Sequence, residues 1–309
     1  MVSDRLLKAA DQIRSGDPRA LARAATAIEN RDRTAATLLA LLFPHTGRAF
    51  TIGITGPPGV GKSTLTGEMV RVLRAKSKSV GVLAVDPTSP YTGGAILGDR
   101  IRMQKHHADP GVFIRSMATR GQLGGLASAT TDLALLLDAA GMDYILIETV
   151  GVGQDEVDVA RLAYATAVVL VPNMGDDVQA IKAGIMEIAD VYIINKADQP
   201  GVEKLEREIE FLLGLSPRAD GWKPPIVRSI AAESQGIEEA LQAIESFKDA
   251  KLREPQGVEM WSRRLREMLR DRLADTLDDE EVRAAAAEVA ARRKDPYTIV
   301  NDWLKRIQP

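Results

Sequence analysis

The chain has no cysteine among its 309 residues and only three histidines, His45, His106 and His107. A disulfide framework and thiolate metal sites are therefore excluded, and the composition suits a reducing compartment. Long apolar runs are missing too. Stretches such as Leu38 to Phe43 and Ala167 to Pro172 fall well short of the roughly 20 apolar residues that span a bilayer. Residues 1–14 carry Asp4, Arg5, Lys8, Asp11 and Arg14, so no secretory apolar segment is expected there. Neither sign of charge dominates. Forty Lys and Arg against 43 Asp and Glu leave a net −3, which points to neither nucleic acid nor an anionic membrane as partner. The expectation is a cytoplasmic enzyme, or a matrix-type one whose targeting segment is absent. With 45% hydrophobic and 27% charged residues, the chain can hold one large α/β domain with helical additions, or two small domains.

The most specific stretch is Gly56-Pro57-Pro58-Gly59-Val60-Gly61-Lys62-Ser63, which fits G-x-x-x-x-G-K-[ST]. The apolar run from Phe50 to Ile54 reads as a buried strand entering this loop. Gly59 and Gly61 allow backbone conformations that a Cβ would forbid, so that several N–H groups converge on one point. A helix starting near Lys62 turns its unpaired N–H groups and positive dipole end toward the same point. Lys62 adds a cation for the outer phosphates, and the Ser63 hydroxyl is placed to ligate Mg²⁺. Gly56, Pro58, Gly59, Val60, Gly61, Lys62, Ser63 and Thr64 are thus the expected phosphate-binding set for a nucleoside triphosphate.

Further acids and a candidate switch follow the later strands. Asp86, ahead of Pro87, can hold Mg²⁺ directly or through water, or serve only as a turn residue. Asp99, in the glycine-rich run from Tyr91 to Arg100, is a second candidate ligand. Arg120, in Thr119-Arg120-Gly121-Gln122, can reach phosphate or stand as a solvated or structural arginine. In Tyr144-Ile145-Leu146-Ile147-Glu148-Thr149-Val150-Gly151, a buried strand sets the Glu148 carboxylate beside the metal, and Gly151 leaves its N–H open to the terminal phosphate. Losing that contact on hydrolysis would let the segment relax. The commoner pattern carries Asp at this acid, so a direct Glu148–metal contact stays open. Gln154 is a candidate for orienting the attacking water.

The base is read from Val191-Tyr192-Ile193-Ile194, a strand that runs into Asn195-Lys196-Ala197-Asp198. A carboxylate at Asp198 accepts two hydrogen bonds, from guanine N1–H and the exocyclic amine, while the Lys196 stem covers the base face. Adenine would leave that carboxylate facing a lone pair. GTP and GDP are therefore the expected ligands. Ser229-Ile230-Ala231, after the last strand, can complete the base pocket, with its register open.

Around these motifs the expected fold class is α/β, a mostly parallel sheet covered on both faces. Strands are expected at 50–55, 80–85, 112–115, 144–148, 167–171, 191–194 and 226–229, with helices at 63–76, 123–140, 178–188 and 203–213. Residues 1–47 form an N-terminal helical extension, and 48–250 form the phosphate-loop domain. In 251–309, Trp261, Leu265, Met268, Leu269 and Leu273 follow helical spacing. Either these helices pad the domain or they form a self-association arm; the second reading is favoured, since broad apolar stripes need a partner surface.

The ordered set of Gly56–Thr64, Asp86–Ser89, Thr92–Met103, Thr119–Gly125, Glu148–Gln154 and Asn195–Asp198 resembles the MeaB/ArgK family of GTPases over roughly residues 50–240. The resemblance implies an Mg²⁺-dependent GTPase, usually a homodimer. It further implies a chaperone of adenosylcobalamin-dependent acyl-CoA mutases such as methylmalonyl-CoA mutase, gating cofactor loading and protecting the mutase. Asn173 to Lys182 matches the extra loop through which such proteins signal to the mutase, with Asp176-Asp177 where Asp-Glu is more usual. Lys62, Glu148 and Arg120 are the expected catalytic groups. Ser63, Asp86, Asp99 and Glu148 are the expected metal set. Gly151, Asn195, Lys196, Asp198, Ser229, Ile230 and Ala231 join the phosphate loop in holding the nucleotide. The alternative, a GTP-dependent metallochaperone for nickel or zinc, needs soft or imidazole ligands, and the chain has no cysteine and two of its three histidines adjacent.

Overall fold

The computed structural model describes residues 2–86, 106, 108–118, 125–149, 162–173, 188–215, 218, 220–251, 257–274 and 276–307. Seven strands form one sheet: β1 (Phe50–Thr55), β2 (Val80–Asp86), β3 (Val112–Ala118), β4 (Tyr144–Glu148), β5 (Ala165–Leu170), β6 (Val191–Ile194) and β7 (Ile226–Arg228). Their order is β3-β2-β4-β1-β5-β6-β7, and every pair is parallel. β2 and β3 run one and three residues past their expected ends. β5 starts two residues early, at Ala165, because small residues are as easily buried there as the β-branched ones.

Alternation along the strands divides the sheet into two apolar faces. Ile52 and Ile54 of β1, Val82 of β2, Leu146 of β4 and Val169 of β5 face α4 (Lys62–Ala75) and α7 (Ile237–Lys251). Leu83 and Val85 of β2, with Ile145 and Ile147 of β4, face α5 (Gly125–Ala139). Three N-terminal helices pack into that second core: α1 (Asp4–Arg14), α2 (Pro18–Glu29) and α3 (Arg33–Leu42). α2 begins where Asp17 accepts from the Ala20 N–H at 2.7 Å with Pro18 in the first turn, a cap that satisfies an otherwise orphaned donor. Arg115 on the edge strand β3 makes a bidentate pair with Glu29 of α2, at 2.7 and 2.5 Å. That contact fastens the helical layer to the sheet. Beyond β6, α6 (Val202–Leu215) covers Val168, Tyr192 and Ile194.

These elements lie in one compact unit, Met1–Glu254, and Pro255–Pro309 is a second. The second contains α8 (Gly257–Ala274), α9 (Asp279–Ala290) and α10 (Pro296–Ile307). Asp278 caps α9 and Asp295 caps α10, accepting from the Glu280 and Thr298 N–H groups. Trp303 Nε1 donates to Glu281 at 2.9 Å and joins α10 to α9. Along α8, Val258, Leu265, Met268 and Leu269 are exposed. Among the described residues no helix is long and apolar enough to cross a membrane.

Candidate functional site

The parallel registers fix where the site lies. Ile54 pairs with Glu148 across β1 and β4, and Thr55 pairs with Val168 across β1 and β5. The carboxyl ends of three central strands therefore open on one side of the sheet, where ligands of such sheets bind. β1 hands the chain to residues 56–61, and α4 starts at Lys62.

Two glycines are required by geometry. Gly56 has φ 141°, and a Cβ there would stand 2.1 Å from the Val169 carbonyl oxygen. Gly61 has φ 94°, and its Cβ would meet Asn195 Nδ2 at 2.5 Å. Both are conformations an L side chain resists. Gly61 is also the N-cap of α4 and, as a glycine, adds no capping side chain. The positive end of the helix dipole is directed at the loop. The buried Lys62 ammonium donates to the carbonyls of Gly56 at 2.6 Å and Pro57 at 2.9 Å. The loop thus orients its own cation.

Ser63 and Glu148, 85 positions apart, meet in the interior: Ser63 Oγ donates to Glu148 Oε1 at 2.5 Å. Both residues are buried. Beneath them the Thr149 hydroxyl donates to Thr55 Oγ1 at 3.0 Å, and Thr149 N–H donates to the Ile54 carbonyl. Adjacent vertices of an Mg²⁺ octahedron lie roughly 3 Å apart when ligands sit near 2.1 Å. Hydroxyl and carboxylate oxygens already this close form a hard-oxygen pair of the kind Mg²⁺ takes. No group of three or more His, Cys, Asp or Glu side chains suited to a metal occurs among the described residues.

The base-reading residues are tied to the phosphate loop. Buried Asn195 donates through Nδ2 to the Val60 carbonyl at 2.8 Å. Its Oδ1 accepts from the Ala231 N–H at 3.0 Å and from Ser229 Oγ at 3.2 Å. Lys196, with φ 55°, donates from Nζ to the Gly59 carbonyl at 2.9 Å. Its stem therefore runs alongside the loop. Asp198 is exposed in the following turn. Ile230 exchanges both backbone hydrogen bonds with Gln235, closing a small loop over 231–234. The sequence reading put Ser229, Ile230 and Ala231 around the base, and the first and last of these are engaged with Asn195. Ala232, which that reading omitted, is the next residue outward and is exposed. The nearest sequence signal was Gly236, whose Cβ would lie 2.1 Å from the Arg228 carbonyl and which fixes the loop's return.

Of the other expected residues, Asp86 ends β2, paired with Ala118, and its side chain lies outside the described residues. Asp99, Arg120, Gly151, Gln154, Asp176, Asp177 and Lys182 also lie outside them, as does the helix expected at 178–188 up to its last residue, Ile188.

A family model described as "Methylmalonyl Co-A mutase-associated GTPase MeaB" matches residues 21–286. A Pyrococcus abyssi protein named as a GTPase is 44% identical over 308 residues, covering 96% of this chain and 95% of its own length. "GTPase ArgK" of Escherichia coli is 38% identical over 269 residues, covering 82% of this chain and 81% of its own. Among solved structures, a "LAO/AO transport system kinase" matches with a TM-score of 0.69 at 29% identity and full coverage of both chains.

Proposed function

The chain belongs to the MeaB family of P-loop GTPases, which bind guanine nucleotides, and from that premise we propose how its own residues hold and hydrolyse GTP and whom it serves. The observation that carries the proposal is the bonding of Asn195 and Lys196 to the carbonyls of Val60 and Gly59. A base reader fastened to a phosphate loop measures the nucleotide from base to phosphates, so a guanine nucleotide meets both ends. Asp198 accepts from the guanine N1–H and amine, and the Lys196 stem covers the base. The N–H groups of 59–64 and the Lys62 ammonium take the phosphates. Ser63 and Glu148, with Asp86 and Asp99, would hold Mg²⁺ directly or through water, and the ion would neutralise charge on the outer phosphates. Arg120 adds positive charge there. Water attacks the γ-phosphorus, the bond to the bridging oxygen breaks, and GDP and phosphate leave. Little covalent chemistry is asked of the protein, because positioning and electrostatics supply most of the rate.

The family's description as methylmalonyl-CoA mutase-associated supports the further reading that this GTPase is a cytoplasmic chaperone of an adenosylcobalamin-dependent acyl-CoA mutase. It gates cofactor loading, with residues 173–182 as the contact. The exposed apolar stripe of α8 supports a homodimer through residues 251–309. GTP turnover with and without a purified mutase of this class tests the reading. Stimulation by the mutase, lost in Lys182→Ala while GTP affinity holds, is expected. Absence of stimulation by every cobalamin-dependent mutase tried would overturn the chaperone assignment and leave the GTPase intact.

A further inference from the structure

The loop that borders the base side of the site is tethered to the helix that carries the phosphate side, through a pair that no sequence motif contains. Ser234 Oγ donates to Glu68 Oε2 at 2.6 Å. Ser234 closes the short 3₁₀ turn Ala231–Glu233 in the left-handed region, φ 60° and ψ 21°. A serine there has a Cβ in a disfavoured backbone conformation, so contacts around it must hold the turn in place. Glu68 lies on α4, little more than a turn beyond Ser63, and its side chain is 25% exposed. Arg71, one turn further on, donates to the same carboxylate oxygen at 2.7 Å, which aims Glu68. The loop's root is fixed independently. Ile230 and Gln235 exchange backbone bonds, and Asn195 holds Ser229 and Ala231. Between these fixed points lie Ala232 and Glu233, both exposed.

We infer that Glu68 and Ser234 act as a positioning latch that holds the base loop against the phosphate helix and so sets the lifetime of the bound guanine nucleotide. The inference rests on the guanine site assigned above. With the latch closed, the loop beside the base and the start of α4 move as one body. With it open, residues 231–234 can swing from a root that stays attached, and nucleotide departs by the base side first. Neither residue reaches the reacting phosphate, so the chemical step is spared. A charge-assisted hydrogen bond is among the stronger neutral-to-ion contacts, and its loss at a gating position corresponds to about a tenfold change in a rate.

The test is release of a fluorescent GDP from the full-length protein, measured beside single-turnover GTP hydrolysis. Ser234→Ala and Glu68→Ala are each expected to release GDP about tenfold faster, with the single-turnover rate within about twofold of the parent. Ser234→Asn, which tolerates the left-handed backbone and keeps a side-chain donor for Glu68, restores slow release. The double variant releases no faster than either single one, because both remove the same contact. A merely structural role would lower the melting temperature without this pattern of rescue and non-additivity. Release unchanged in Ser234→Ala, or effects of the two single variants that multiply, would overturn the latch. Failure of the parent protein to bind GDP at all would overturn the guanine site itself, a separate result.

Discussion

Asn195→Ala removes the residue that joins the two ends of the site, and its cost can be worked from the contacts. Three hydrogen bonds are lost: to the Val60 carbonyl at 2.8 Å, from the Ala231 N–H at 3.0 Å and from Ser229 Oγ at 3.2 Å. Asn195 and Val60 are buried, as is Ala231, so an acceptor and a donor of the main chain are left without partners in the interior. Each such group costs about 1–3 kcal/mol. Some relaxation and water entry reduce the sum, leaving roughly 2–4 kcal/mol divided between global stability and nucleotide affinity. Against a total stability of about 5–15 kcal/mol the protein should still fold. The affinity share should raise Kd for GDP by about 10–100-fold, measured by calorimetry with the melting curve alongside. Asn195→Asp separates the contacts: it keeps the acceptor for Ala231 and Ser229 but sets a carboxylate oxygen against the Val60 carbonyl, so it should also fail. Gly61→Ala reaches the same contact from the other side, since its Cβ would stand 2.5 Å from Asn195 Nδ2. An Asn195→Ala protein with unchanged GDP affinity would refute the idea that this side chain couples base reader and phosphate loop.

Lys62→Ala and Ser63→Ala should each lower GTP turnover by about 100-fold or more, as loss of one preorganised charge or metal ligand does; activity that persists in excess chelator would contradict the metal assignment. Full-length protein should sediment as a dimer at micromolar concentration, and a monomer would remove the α8 stripe from assembly. Asp190 gives a pH signature. Its burial, the largest influence, pushes the carboxyl from 3.8 up to about 6, while the Thr166 N–H and an Arg218 shared with Asp220 pull it back only in part. A carboxyl raised in the folded state stabilises folding when protonated. That contribution is complete below about pH 3.8 and is lost as pH rises through about 6. Relative to Asp190→Asn, the parent should therefore lose roughly 2 kcal/mol of stability between pH 4 and 7, followed by urea denaturation; a parallel pair of curves would contradict it.

The strands that frame the site were legible because burial on both faces selects continuous apolar runs: β1, β4 and β6 lie where their sequences place them. The phosphate loop and Asn195–Asp198 were legible because each needs particular residue types at fixed spacing. Gly56 was legible as a motif position, but not the reason for it, since its crowding comes from Val169 on another strand. The Ser63–Glu148 contact joins residues 85 apart, and the Asn195–Val60 bond joins residues 135 apart. No local pattern encodes such meetings; the parallel registers make them. The register of the base loop stayed open for the same reason, as it is fixed by Asn195 reaching Ala231 and by a glycine at 236 that must clear a carbonyl. Helix α7 was absent from the expected elements although it packs across the core, because its apolar positions Ile237, Ala240, Leu241, Ile244 and Phe247 are interleaved with six charged residues.

The central claim is that Asn195–Asp198 selects guanine at a site shared with the phosphate loop. The most direct measurement compares turnover of GTP, ATP and xanthosine triphosphate by the parent protein and by Asp198→Asn. The parent should hydrolyse GTP with a kcat/KM at least about 100-fold above that for ATP, since adenine leaves the Asp198 carboxylate unpaired. In Asp198→Asn, kcat/KM for GTP should fall and that for xanthosine triphosphate should rise, because an amide donor then faces the C2 carbonyl. Equal use of ATP and GTP by the parent, or an Asp198→Asn protein whose preference does not move, would contradict the claim.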